Sequence, residues 1–297
     1  MRLVAILICV VTVYSHPCMA QDAKDQGSDQ DHVTANAAVT DPTTNTVSED
    51  TAHENAADEA SDILAPYRDA AIKKWKKAID AFDTQNAQET DPADGILFIG
   101  SSSIRRWDSM PVDMMPYRTI RRGYGGAKFT DMAMFVDRLI QPHQYRAMVM
   151  FIGNGVTGKP EDHTPDLIET LARKIVASSH HHQSDAPVFL IEITPCGKRF
   201  DVWHKIRAVN ARLREIALST PNTYFIPTAS YYLRPDGTPR SELFVEDQLH
   251  LSDEGYRLWS SLIRKRLDDV FRLMAVTQAA EAQANEESDS DSPSEEN

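Results

Sequence analysis

The chain has 297 residues, a formal net charge of −13 and three cysteines. The charge sits at the ends: residues 21–62 hold −10 and residues 275–297 hold −7, so with the single positive charge of Arg2 set apart, residues 63–274 carry +3. A near-neutral central region excludes the basic footprint of a nucleic-acid binder, and about 210 residues suit one domain.

The first twenty residues, "MRLVAILICVVTVYSHPCMA", have a positive n-region at Arg2, a short apolar run from Leu3 to Tyr14 and a small residue at Ala20. That pattern predicts a signal peptide over 1–20, cleaved after Ala20, with export from the cytoplasm and no stable membrane insertion afterwards. Cys9 and Cys18 leave with it, so Cys196 alone remains and no intramolecular disulfide is possible. An exported chain of this size then rests on its own core. Residues 21–62 and 275–297 are acidic and almost free of large apolar residues. Neither segment buries enough surface to offset chain entropy, so both are expected to be disordered, as a linker and a tail.

The folded domain is expected over 63–274. It opens with residues 64–86, where Ala71, Ile72, Trp75, Ile79 and Phe82 recur at helical spacing between lysines, predicting an amphipathic helix packed on the domain. Five apolar runs follow as strands: "ILFIG", "YRTIRRG", "RAMVMFIG", "APVFLIEIT" and "NTYFIPT". The helical patterns "TPDLIETLARKIVASS" and "RFDVWHKIRAVNARLREIALS" follow the third and fourth strands. "SDEGYRLWSSLIRKRLDDVFRLM" is the last helix, with Ser252 as N-cap. Strands alternating with helices predict an α/β fold with a mainly parallel five-stranded sheet covered on both faces. Ligands of such sheets bind beyond the carboxyl ends of the strands. The informative segments are therefore "GSSSIRRW", "GYGGAKFTD", "GNGVTGKP" and the loop ending in "FVEDQLHLSDEGY".

Gly153 to Lys159 spell G-x-x-x-x-G-K, the opening of a phosphate-binding loop. Pro160 follows the lysine, however, supplying neither a hydroxyl for magnesium nor a backbone N–H at a helix entry. The G-x-G-x-x-G pattern fails as well, because "GYGGAK" ends in lysine. An ester hydrolase asks instead for an activated hydroxyl, a base held by a third group, and donors aimed at an oxyanion. Ser102 follows the first strand, His250 offers a base, and Asp247 lies three residues before it, close enough to accept the second imidazole N–H. The α/β-hydrolase elbow G-x-S-x-G is absent, since Ile104 stands at its second glycine.

The segments "FIGSSSIRRW", "RRGYGGAKFTDM", "MFIGNGVTGKPED" and "ELFVEDQLHLSDEGY" resemble, in order, the four blocks of SGNH (GDSL-type) hydrolases, over roughly residues 90–265. The resemblance implies a flavodoxin-like three-layer α/β/α sandwich and a cofactor-free serine esterase. Block by block, Ser102 matches the nucleophile, with its own N–H in the oxyanion hole. Gly126 matches the glycine whose N–H donates to the oxyanion, with Gly125 the near alternative, and Asn154 matches the side-chain donor. Asp247 and His250 match the acid and base of the Asp-x-x-His block. Three positions depart from the family pattern: Ser101 and Gly155 stand where aspartate is usual, and Ala127 where serine or aspartate is frequent. Together with the predicted export, the resemblance leads to an esterase for small acyl groups, such as acetyl on carbohydrate, with lipid esters and thioesters open. The alternative is a non-catalytic polysaccharide-binding module on the same fold.

His180, His181 and His182 are adjacent and cannot all face one ion, so no metal site is expected there. Trp203, Ile206, Val209 and Leu213 read as a core stripe. Trp107, Tyr124, Phe200 and Tyr231 are placed in rim loops, where they line a substrate pocket or simply pack. Arg105 and Arg106, just after Ser102, face solvent or reach an acidic group of the substrate.

Overall fold

In a computed structural model of the protein, residues 63–290 are described. The expected signal peptide, the linker over 21–62 and the last seven residues lie outside the described residues. The first strand, β1 (Ile96–Gly100), is buried along its whole length. That burial on both faces is why its sequence is an uninterrupted apolar run rather than an alternating one. It pairs in parallel with β2 (Thr119–Gly123) on one side and β3 (Ala147–Phe151) on the other, Leu97 lying opposite both Ile120 and Met148. β4 (Val188–Ile191) and β5 (Thr223–Ile226) extend the sheet, also in parallel, to give the order β2-β1-β3-β4-β5. The expected five-stranded parallel sheet of flavodoxin-like order is therefore present, and its switch point lies at β1 and β3.

Four helices cover one face. After a single 3-10 turn (Ala65–Tyr67), α1 (Arg68–Asn86) buries Ala71, Trp75 and Ile79, the stripe read from the sequence. Ile72, placed in that stripe at the outset, is exposed. Two short helices, α2 (Ser102–Arg105) and α3 (Met110–Asp113), follow β1 and pack on the opposite face through Ile104 and Met110. The next helix, α4 (Phe129–Ile140), was not among the predicted elements. Nine of its twelve residues are buried, and Phe129, Met132, Ala133, Val136 and Ile140 recur at the helical spacing that marks an amphipathic face. The N–H of Lys128 donates to Asp131 Oδ2 (2.9 Å) and secures its start. α5 (Pro165–His182) and α6 (Trp203–Ser219) complete this layer, with Ile206, Val209 and Leu213 in the core and Trp203 half-buried at its edge.

The opposite face is covered mainly by α8 (Asp253–Ser290), after a one-turn α7 (Ala229–Tyr232). Tyr256, Trp259, Ile263, Leu267 and Val270 repeat at three- and four-residue intervals and all pack against the sheet. Ser252 Oγ accepts the N–H of Gly255 (3.2 Å), as its N-cap position requires. This helix corrects one expectation: it does not stop near Met274 but continues through Ser290, with residues 275–284 exposed to solvent. Once a docked helix has supplied the nucleus, Ala, Gln and Glu residues extend it at little cost. Among the described residues no helix is long and apolar enough to cross a membrane.

Candidate active site

The carboxyl end of β1 passes so close to β3 that a Cβ on Gly100 would lie 2.2 Å from the Phe151 carbonyl oxygen. Glycine is the only residue that fits, and the chain turns there to deliver Ser102 to the rim at the start of α2. Ser101 is buried and donates its N–H to the same carbonyl (3.0 Å).

Opposite Ser102 lies a self-contained loop. Val245 N–H donates to the His250 carbonyl (2.9 Å), Phe244 bridges Leu251, and Gln248 takes a left-handed φ of 53°. This turn folds Asp247 back on the loop: Oδ1 accepts the N–H groups of Leu249 (3.0 Å) and His250 (2.9 Å), and Oδ2 lies 2.6 Å from His250 Nδ1. His250 Nε2 is 3.1 Å from Ser102 Oγ. With Nδ1–H given to the carboxylate, Nε2 is left as a hydrogen-bond acceptor for the Ser102 hydroxyl. Partial burial pushes the Asp247 carboxyl up, but the N–H and imidazole of His250 and the N–H of Leu249 outweigh it and hold it at about 2. The carboxylate is ionised at neutral pH and available to balance an imidazolium.

Asn154 follows β3, and a backbone bridge to Lys128 ties its loop to the turn containing Gly125 and Gly126. Gly126 has a φ of +82°, which favours glycine, and the Trp75 ring from α1 lies 3.8 Å from where a Cβ would be. At Gly125 a Cβ would meet the Arg105 side chain at 2.6 Å. Ser102, Asn154 and His250 line one small cavity, of about 40 Å³, together with Phe151, Ile193, Cys196, Phe244, Leu249 and Arg199. Gly126 is not part of its lining and belongs to the adjoining rim loop. Burial pushes the Cys196 thiol up, so the neutral form prevails and it fills space.

The phosphate-loop pattern has an internal occupant. Asp162 Oδ2 accepts the backbone N–H groups of Thr157 (2.6 Å), Gly158 (2.6 Å) and Lys159 (3.2 Å), while Oδ1 accepts the Thr157 hydroxyl (2.8 Å). Partial burial raises this carboxyl, but those donors bring it below its ordinary value. The N–H groups that would cradle a phosphate instead hold the chain's own carboxylate and stiffen the loop after Asn154.

Of the four aromatic residues left between pocket and core, two pack. Trp107 is fully buried, stacked on Tyr256 (ring centroids 5.4 Å apart), and Tyr124 is buried edge-on against Trp75. Both fill space beneath helices, which large rings in short connections do when a helix crosses over them. Phe200 is half-buried and Tyr231 is exposed. Arg106 Nη1 lies 3.8 Å from Asp247 Oδ2, and both side chains are well exposed. The three adjacent histidines diverge: His182 Nε2 contacts the His143 carbonyl (2.9 Å), His181 is exposed, and His180 is half-buried.

Sequence reading passed over Arg199. It follows β4, the one strand whose carboxyl-end loop was not among the informative segments, although the rule that singled out the others applies to it equally. Its guanidinium donates to the Gly153 carbonyl and, at 2.6 Å, to Asn154 Oδ1.

The family model for the GDSL-like lipase/acylhydrolase family matches residues 98–258. Among curated proteins none matches the chain. A solved structure from Streptococcus pneumonia, named for platelet activating factor, is similar at 19% identity and a TM-score of 0.59, covering 74% of this chain and 100% of its own. A GDSL-like lipase from Bacteroides thetaiotaomicron is similar at 17% identity and a TM-score of 0.55, covering 65% of this chain and 98% of its own. An acylhydrolase from Bacteroides fragilis is similar at 20% and 0.55, covering 63% and 94%. At these identities the likeness is one of fold.

Proposed function

We propose that this chain, which belongs to the GDSL-like lipase/acylhydrolase family, is a serine ester hydrolase that works through an acyl-enzyme on Ser102. The observation that carries the reading is the continuous chain Ser102 Oγ, His250 Nε2, His250 Nδ1, Asp247 Oδ2, with contacts of 3.1 and 2.6 Å. As Ser102 Oγ attacks the ester carbonyl, its proton passes to His250 Nε2, and ionised Asp247 stabilises the imidazolium. The tetrahedral oxyanion accepts from the N–H groups of Ser102 and Gly126 and from the side-chain amide of Asn154. His250 then protonates the departing alkoxide, and a water that gives its proton to His250 releases the acid and restores Ser102.

The cavity favours a short acyl group. A water needs roughly 10–15 Å³ by this kind of measure, so about 40 Å³ leaves room for only a few atoms, the size of an acetyl group. An acetyl ester of a carbohydrate is the substrate class in this proposal, with export after residue 20 as its setting. The test is hydrolysis of 4-nitrophenyl acetate by residues 21–297, beside Ser102→Ala and His250→Ala. Both variants are expected to lose about 10⁴- to 10⁶-fold in kcat. A folded parent no faster than the variants would sink the esterase reading and favour a polysaccharide-binding module instead.

A further inference from the structure

We infer that Arg199 is a positioning residue that fixes which end of the Asn154 amide faces the reacting carbonyl; the inference builds on the esterase reading above. An asparagine side chain is nearly symmetric in shape, but its two ends are opposite in function: the NH₂ donates and the oxygen accepts. An amide turned the wrong way would present a lone pair to the oxyanion, repelling it. At residue 155 there is no side chain to brace the amide, and Gly155 has a φ of +102°. The brace comes from elsewhere. A guanidinium carries donors only, so the atom of Asn154 that faces Arg199 Nη2 at 2.6 Å must be the oxygen. The NH₂ group is then left to donate on its other side. The second contact of Arg199, to the Gly153 carbonyl, holds the backbone of the same loop. One planar fork thus grips the backbone before Asn154 and the side chain of Asn154 itself, a geometry that lysine, a point donor, cannot reproduce.

The arginine is itself held. Beyond β4 the chain is fixed by Asn210 of α6, whose side chain accepts the N–H of Ile193 (2.9 Å) and donates to its carbonyl (3.0 Å). The following turn is tied to the base-bearing loop, because Lys198 N–H donates to the Gln248 carbonyl (2.9 Å). Lys198 and Arg199 together therefore join the loop that carries His250 to the loop that carries Asn154, setting the oxyanion donor relative to the base. It lines the cavity but acts on the oxyanion through Asn154.

A double-mutant cycle tests this, with Arg199→Met, Asn154→Ala and the double variant assayed on 4-nitrophenyl acetate, Ser102→Ala serving as control. Losing one oxyanion donor costs roughly 100- to 1,000-fold, and a donor freed to turn is correct part of the time. Arg199→Met is thus expected to lower kcat by about 10- to 100-fold with KM changed less than about threefold. Added to Asn154→Ala it should cost less than about threefold more, since nothing remains for it to orient. Arg199→Lys should recover only part of the loss. An Arg199→Met enzyme as fast as the parent would overturn the inference. So would an equal loss in both backgrounds, which would place Arg199 on the substrate or in the fold. A parent no faster than Ser102→Ala would count against the esterase reading itself. In that event the side-chain amide resonances of Asn154 still decide the lock: they should shift and broaden in Arg199→Met, and an unchanged spectrum would refute it.

Discussion

The two sides of the cleft are built differently. On the base side, Asp247 and His250 lie within four residues, and most of the bonds that shape their loop are internal to residues 244–251. On the oxyanion side, Asn154 depends on Arg199, 45 residues away in sequence. Its neighbouring loop rests on Trp75, from a helix that precedes the region matched by the family. A short loop can carry its own geometry when a carboxylate caps its N–H groups. An amide that must present one of two similar ends needs a partner of fixed polarity, and the fold has to bring that partner from a distance.

The contrast can be broken first on the base side. Asp247→Ala should reduce kcat by about 10⁴-fold, because His250 loses both its orientation and its counter-charge. The thermal midpoint should barely move, since the carboxylate is 45% exposed at the rim. Steady-state kinetics beside a melting curve would check it, and a large fall in stability would show that the loop is not self-contained. Next in size is Trp75→Ala. Trp75 is buried under Gly126 and against Tyr124, so the cavity left behind should cost about 3–5 kcal/mol in denaturant unfolding. The rate of the surviving folded enzyme should also fall. An unchanged kcat at full folding would mean that α1 supports the domain but not the oxyanion loop.

The smallest effect is a pH dependence. The Asp247 carboxyl is lowered from 3.8 to about 2 in the folded protein. Its contribution to stability is therefore complete above about pH 4 and lost as the pH falls through about 2. Compared with Asp247→Asn, the parent should hold a small advantage in urea midpoint at pH 6 that closes towards pH 2. A gap that persists at pH 2 would argue that the Asn substitution acts through packing rather than charge.

Much of this molecule is legible in its sequence. β1 and β3 read clearly because strands buried on both faces become plain apolar runs, and "EDQLHL" keeps an acid and a base in contact through one tight turn. α4 carries its period just as plainly, with Phe129, Met132, Ala133, Val136 and Ile140 at helical spacing, and was passed over because it opens inside the glycine-rich segment read as a rim loop. Trp107 and Tyr124 were left between the two roles because an aromatic residue in a short connection looks the same whether it lines a pocket or fills a core.

The sequence by itself determined the alternation of strands and helices and the four rim segments on which Ser102, Asn154, Asp247 and His250 lie. These are local properties: apolar period, turn residues and side-chain chemistry are all written in neighbouring positions. Tertiary structure decided which polar groups serve the site and which serve the fold. Asp162 occupies the N–H groups of the glycine-lysine loop, and Arg199 turns towards Asn154 rather than towards solvent. Hydrogen bonds between residues far apart in the chain depend on how the strands are ordered in the sheet, and no single stretch of sequence carries that order.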